Sequence, residues 1–160
     1  MNNISNIKIR KIEETEMQNA INLIMETFLK YEAPDYTAEG IEEFKKAIYD
    51  NEWIKQRQFI GAFEENKMVG VIAIRNSNHI ALFFVDGNYH RRGIGRKLYE
   101  YATKINKTGY FTVNSSPYAH EVYKHLGFVD IDVKQSVNGL IFYPMKNDKI
   151  QQEMEKNIKK

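Results

Sequence analysis

Residues 90–98 read His90-Arg91-Arg92-Gly93-Ile94-Gly95-Arg96-Lys97-Leu98, and they follow the apolar run 80–85 after a turn, Asp86-Gly87-Asn88-Tyr89. A strand, a basic glycine loop and a helix start come in that order. This unit constrains the fold: the strand belongs to a sheet, the helix crosses back over it, and part of the sheet is parallel. The loop is also a seat for an anion. Glycines let a backbone approach phosphate oxygens, and free N–H groups at a helix N-terminus point at the charge. Arginines add charge-assisted hydrogen bonds.

The rest of the chain supplies the elements around this unit. Alternation at 7–10 predicts a first strand. Met17, Ala20, Ile21, Ile24, Met25, Phe28 and Leu29 recur at helical spacing and predict a helix over 14–30, interrupted before Pro34. A second helix is expected over 38–51, weakened in its first turn by Gly40. Runs at 59–63, 68–75 and 79–85, joined by short polar turns, predict an antiparallel meander. The helix after the glycine loop is expected over 92–106, then a strand at 110–113. Ser116-Pro117 signals the start of a helix that ends at Leu126-Gly127. Two last strands, 128–133 and 140–145, flank the hairpin signal Asn138-Gly139. The charged stretch 147–160 reads as a tail, helical or frayed, after a single domain over 1–146.

Composition narrows the chemistry. With 160 residues and no cysteine, the chain has no disulfide, thiol nucleophile or thiolate metal site. Its net charge of +2 is too small to indicate nucleic acid. Five of the eight residues over 90–97 are basic, which makes the anion site focal. The polar start and the lack of a long apolar run lead to the expectation of a soluble, cytoplasmic protein with no membrane partner. His120 and His125 stand five apart, not at metal spacing, and read as surface residues; no metal is expected.

Two common phosphate sites do not fit. A dinucleotide fingerprint needs Gly-x-Gly-x-x-Gly directly after a strand, and Leu98 occupies the third glycine position. No P-loop run exists. The segment does resemble the phosphate motif of the GNAT superfamily, Gln/Arg-x-x-Gly-x-Gly/Ala, with His90 in the first position. Tyr123-Lys124-His125-Leu126-Gly127-Phe128 resembles that family's second motif, Tyr-x-x-Leu-Gly-Phe. The element order agrees along nearly the whole chain.

The resemblance implies an α/β (mixed α+β) fold, with a mixed, mostly antiparallel sheet of about seven strands and about four helices. It implies acetyl-CoA as co-substrate and direct transfer of its acetyl group to a primary amine in a ternary complex. The alternative is a CoA-binding module or sensor without turnover. His90, Arg91, Arg92, Gly93, Ile94, Gly95 and Arg96 would hold the pyrophosphate, while Lys97 reads as solvated surface. The backbone of Phe84 and Val85 would pair with the pantetheine arm, assisted by Asn114 and Ser116. Tyr123 would act as general acid toward the leaving thiolate and touch the cofactor. An alkyl ammonium has a pKa near 10.4, so a base is needed, and His79 is the candidate. Tyr31, Glu32 and Tyr36 are candidates for acceptor binding. The acceptor itself stays open among small amines, polyamines, aminoglycosides, amino acids and protein N-termini. A sheet edge at the C-terminal hairpin would suit a homodimer.

Overall fold

The computed structural model describes residues 6–150. Eight strands form one sheet in the order β1-β2-β3-β4-β5-β8-β6, with β7 paired to β8. The strands are β1 (Ile7–Lys11), β2 (Arg57–Glu64), β3 (Lys67–Arg75), β4 (His79–Val85), β5 (Phe111–Ser115), β6 (Val129–Asp130), β7 (Gln135–Val137) and β8 (Leu140–Asn147). Every pairing is antiparallel except that of β4 with β5. The helices are α1 (Met17–Thr27), α2 (Ala38–Ile48), α3 (Asn51–Lys55), α4 (Ile94–Ile105) and α5 (His120–His125).

The single parallel pairing shapes the molecule. β4 and β5 share only two ladder positions, His79 with Thr112 and Ile80 with Val113. Beyond them the β5-facing edge of Leu82–Val85 has no neighbouring strand, so a gap opens between the two strands. A bulge lies at the same point: Ile74 pairs with Ile80 and Ala73 with Leu82, leaving Ala81 as an extra residue. It inverts the alternation. Ile80 packs into the core on the α4 side, with Leu98, Phe111 and Met145. Leu82 and Phe84 pack into the core on the α1 side, with Ile24, Phe28 and Ile48. Burying each such side chain contributes roughly 1.5–3 kcal/mol, so the bulge is held by packing on both faces.

Several elements depart from the sequence pattern for identifiable reasons. The helix expected over 14–30 is a 3₁₀ turn (Glu14–Glu16), then α1, then a wide π turn (Phe28–Glu32). Thr27 Oγ1 donates to the Leu23 carbonyl at 2.7 Å, a back-bond that bends helices, just before the wide turn. The helix expected over 38–51 breaks into α2 and α3 because Asp50 caps a new one, accepting from the N–H groups of Glu52 and Trp53. At the helix signalled by Ser116-Pro117, Ser116 caps a turn by accepting from Ala119 N–H at 3.1 Å, and regular helix starts only at His120. His120 is not a free surface residue; it bonds Asp130 at 2.7 Å and stacks on Tyr143.

The strand expected over 128–133 is only two residues long. Opposite it, Pro144 lacks the N–H that would extend the ladder. The Asn138-Gly139 hairpin is real, but its first strand is β7. Positive φ at both turn residues marks the tight hairpin turn. The hairpin tip lies on α2: a side chain at Gly40 would collide with the Gly139 carbonyl, which is why a glycine stands in that helix. The packed domain runs past residue 146. Asn147 donates to Tyr99 Oη at 2.8 Å, and Ile150 is buried. The remainder of the expected tail, 151–160, lies outside the described residues.

Candidate functional site

Two clefts of similar size, about 410 and about 390 Å³, meet at the gap in the sheet. They share five residues: Glu32, Phe83, Phe84, Ala119 and Tyr123.

The first cleft is built around the start of α4. Gly93 caps the helix in the left-handed conformation, φ 78°, and contributes no capping side chain. The N–H groups of the first turn therefore face outward without an intrahelical acceptor. Arg91 also has a positive φ, 63°, which curls the loop toward the cleft, and its side chain lines it. His90 donates from Nε2 to the Val85 carbonyl at 2.7 Å. That bond ties the loop to the free edge of β4, and it occupies a backbone acceptor expected to serve the pantetheine arm. The loop is braced from above, where Tyr31 packs on His90 and on Tyr118 with ring centroids 4.9 and 5.4 Å apart.

Arg92 and Arg96 do not line this cleft. The Arg92 guanidinium sits over the Tyr89 ring at 4.8 Å, and Tyr89 in turn donates to Glu64 at 3.0 Å. The Arg92 side chain is thus packed beside the cleft and not in its wall. Of the two adjacent phenylalanines, Phe84 is in the α1-side core, while Phe83 packs on the α4 side against Tyr123, ring centroids 6.0 Å apart.

The second cleft lies across Glu32 and Tyr123, under α2, α3 and the β7–β8 hairpin. Tyr36, Phe44, Trp53 and Phe142 give it aromatic walls, and Arg57, Arg75 and His79 stand together at strand ends. Asn114 and Ser116, expected along the cofactor, line this cleft instead, whereas Tyr31, expected near the acceptor, lines the first one.

Electrostatics separates the titratable groups. Glu32 is the last residue of the π turn, and water can reach it although protein surrounds its carboxyl group. Desolvation pushes it up to about 7; the Ser116 hydroxyl opposes the rise and the Asp35 charge adds to it. Tyr123 is buried, and desolvation followed by the nearby Glu32 charge raises its phenol well above the ordinary value, so it stays protonated. Tyr36 is raised by the same causes. His79 is lowered to about 4 by desolvation and then by Arg75 and Arg57. Its Nδ1 lies 2.8 Å from Thr112 Oγ1 at the closed end of the gap. Phe83 is four residues on from His79 along β4, at most about 13 Å given the bulge at Ala81.

Sequence reasoning did not bring out Arg57 and Arg75. Counting the β2–β3 hairpin outward from its turn puts Arg57 opposite Ile74. The bulge at Val69 shifts the register by one and brings Arg57 opposite Arg75. Among the described residues no three His, Cys, Asp or Glu side chains gather as a metal site, and no helix is long and apolar enough to cross a membrane.

A family model for the acetyltransferase (GNAT) domain matches residues 32–149. Among solved structures, a GCN5-related N-acetyltransferase from Rhodopseudomonas palustris superposes with a TM-score of 0.77 at 21% identity, over 88% of this chain and 94% of that one. The PaiA N-acetyltransferase from Thermoplasma acidophilum, solved in complex with coenzyme A, gives 0.73 at 21% identity, over 88% and 98%. YjaB from Escherichia coli gives 0.70 at 19% identity, over 88% and 96%. At these identities the likeness is one of fold. No curated protein sequence matches the chain significantly.

Proposed function

The chain belongs to the GNAT family of acetyltransferases, and from that premise we propose that it transfers the acetyl group of acetyl-CoA to a primary amine by direct attack in a ternary complex. One observation carries the reading: two clefts with different chemistry open onto the same carboxyl group and the same phenol. The first offers backbone donors, Arg91 and a free strand edge, which suit a pyrophosphate and an amide-bearing arm. The second offers side chains and aromatic walls, which suit an acceptor.

Each residue then has a role in this mechanism. The thioester supplies the acetyl group. The amine nitrogen attacks its carbonyl carbon, an N–C bond forms and the C–S bond breaks. Glu32, not His79, takes the ammonium proton: it stands where the clefts meet, and its pKa of about 7 suits proton transfer near neutral pH. His79 is too weak a base at about 4 and stands at the far end of the strand. Tyr123 is protonated and donates to the departing sulfur, and the second proton shed by the amine nitrogen restores the phenol. Arg91 and the first N–H groups of α4 hold the pyrophosphate, and His90 keeps the loop against β4.

The test is thiol release from acetyl-CoA in the presence of a panel of primary amines. Release that depends on the amine, with mass spectrometry showing the acetylated acceptor, is the expected result. Tight CoA binding without release for any amine would leave the non-catalytic binding module as the better description.

A further inference from the structure

The second cleft carries an unusual charge arrangement at its mouth. Arg57 and Arg75 are direct cross-strand partners on β2 and β3, and Arg75 and His79 are direct partners on β3 and β4. Direct partners share a face of the sheet, and all three residues line the cleft. Like charges placed opposite one another destabilise a sheet. No carboxylate offsets the repulsion: among the described residues neither arginine forms an ion pair, and Glu43, in the same cleft, pairs with neither.

Arg57 is held in place. Its guanidinium lies 3.6 Å over the Trp53 ring, and Nη1 donates to the Trp53 carbonyl at 2.7 Å. Its Nε is buried with no acceptor. A buried donor left without an acceptor is unfavourable in itself. Two unfavourable features thus coincide at one end of a cleft whose other end holds a carboxyl group. A planar, fixed guanidinium beside a second one is a fork for an oxyanion.

We propose that Arg57, Arg75 and His79 bind an anionic group on the acceptor, so that the acceptor is an amine bearing a carboxylate or phosphate at its far end. The proposal rests on the acetyl-transfer reading for the amine end only. The spacing defines the class further. Phe83 and Tyr123 mark the reacting end, and His79 lies four residues back along β4, at most about 13 Å away because the bulge at Ala81 shortens the path. An amine and an anion on the order of 10–13 Å apart match a peptide of about three residues, at 3.3–3.6 Å each. They also match a long ω-amino acid or aminoalkyl phosphate. A free α-amino acid is too short to reach both ends.

Trp53 is the chain's single tryptophan, so binding can be read by fluorescence without turnover. The full chain is titrated with triglycine, triglycine amide, an ω-aminoalkyl carboxylate and phosphate of matched length, the corresponding alkylamine, and glycine. The same compounds are then assayed as acceptors by thiol release. The long anionic compounds should bind and react about tenfold better than the amide, alkylamine and glycine, which corresponds to one good charge-assisted contact. Whether the carboxylate or the phosphate leads identifies the anion.

In Arg75→Gln, whose side chain is exposed in the native chain, and in Arg57→Gln, the preference should fall to about twofold or less. The Km for acetyl-CoA should not change. Equal binding of triglycine and its amide would overturn the proposal, as would a preference that persists in both variants. Selective binding of the anions without acetylation of any amine would support the anion site and refute the acetyl-transfer reading.

Discussion

The two clefts have nearly the same volume and opposite construction. The first is assembled mostly from two short stretches, 83–95 and 118–123, and offers backbone donors on a glycine-capped helix. The second draws on residues from Glu32 to Phe142, spread over helices α2, α3 and α5, strands β2, β3, β4 and β5 and a hairpin, and offers side chains. A site made of backbone depends on local conformation, which a short motif can specify. A site made of side chains from distant segments depends on register and packing. The first cleft is therefore suited to a ligand common to the fold, and the second to whatever this chain alone accepts.

The strongest challenge to this division falls on the wall between the clefts. Glu32→Gln should lower kcat by about 10²–10⁴-fold, the usual scale for loss of a positioned base. The Km for acetyl-CoA should stay within about twofold, since the first cleft keeps its donors. In the native enzyme kcat/Km should rise with pH through about 7, as the carboxyl group loses its proton. The variant should lose that inflection. A fall in kcat of less than tenfold would place the proton acceptor elsewhere and end the claim that the clefts meet at the chemistry. Tyr123→Phe tests the same wall from the thiolate side. Its kcat should drop by about 10²-fold, without the pH inflection moving.

How much of this was readable beforehand follows the same division. The antiparallel meander, the crossover helix with its parallel pairing and the glycine loop are encoded in runs of neighbouring residues, and each appeared where the pattern put it. Tyr123 was legible because Leu126-Gly127-Phe128 fixes the end of its helix. Glu32 was legible as a candidate for acceptor binding but not as a group with a raised pKa, because its environment depends on a π turn that periodicity does not signal. Arg57 and Arg75 looked like ordinary strand ends until a one-residue bulge set their register. Tyr31 and Tyr36 part across the wall for a similar reason: the wide turn swings Tyr31 over His90 in the first cleft, while Tyr36 lines the second.

Glu32 also makes a prediction about stability. Its pKa in the folded chain is raised from 4.5 to about 7, so burial favours the protonated form. The protonated side chain is tolerated fully below about pH 4.5. The penalty for ionising it grows between there and pH 7 and is complete above. Water in the cleft screens part of the cost, leaving on the order of 2 kcal/mol. Denaturant unfolding should show Glu32→Gln more stable than the native chain at pH 8 and no more stable at pH 4. The same substitution thus removes activity and adds stability, as expected if the carboxyl group is kept for chemistry.

Gly139→Ala sharpens the comparison from the roof of the second cleft. Gly139 has φ 81°, and a side chain there would collide with Thr37 and the backbone of Gly40. The hairpin must lift from α2, at about 1–2 kcal/mol for the backbone alone. The acceptor Km should rise several-fold, about 1 kcal/mol in binding. Acetyl-CoA affinity, read by calorimetry, should stay the same, because no hairpin residue lines the first cleft.

The smallest effect belongs to the glycine loop, and it separates two residues that look equivalent in the motif. Gly93 sits at φ 78°, so Gly93→Ala should cost about 1 kcal/mol and weaken acetyl-CoA binding as the cap distorts. Gly95 is in the first turn of α4, and a side chain there meets Phe83 only at an ordinary 3.6 Å. Alanine is the better helix former, so Gly95→Ala should raise stability by about 0.5 kcal/mol. Acetyl-CoA affinity should change by less than about twofold, a difference of about 0.4 kcal/mol. If Gly95→Ala instead abolished binding, the pyrophosphate would have to lie against the Gly95 Cα itself. The first cleft would then depend on one residue's lack of a side chain, and its contrast with the second would narrow to a matter of degree.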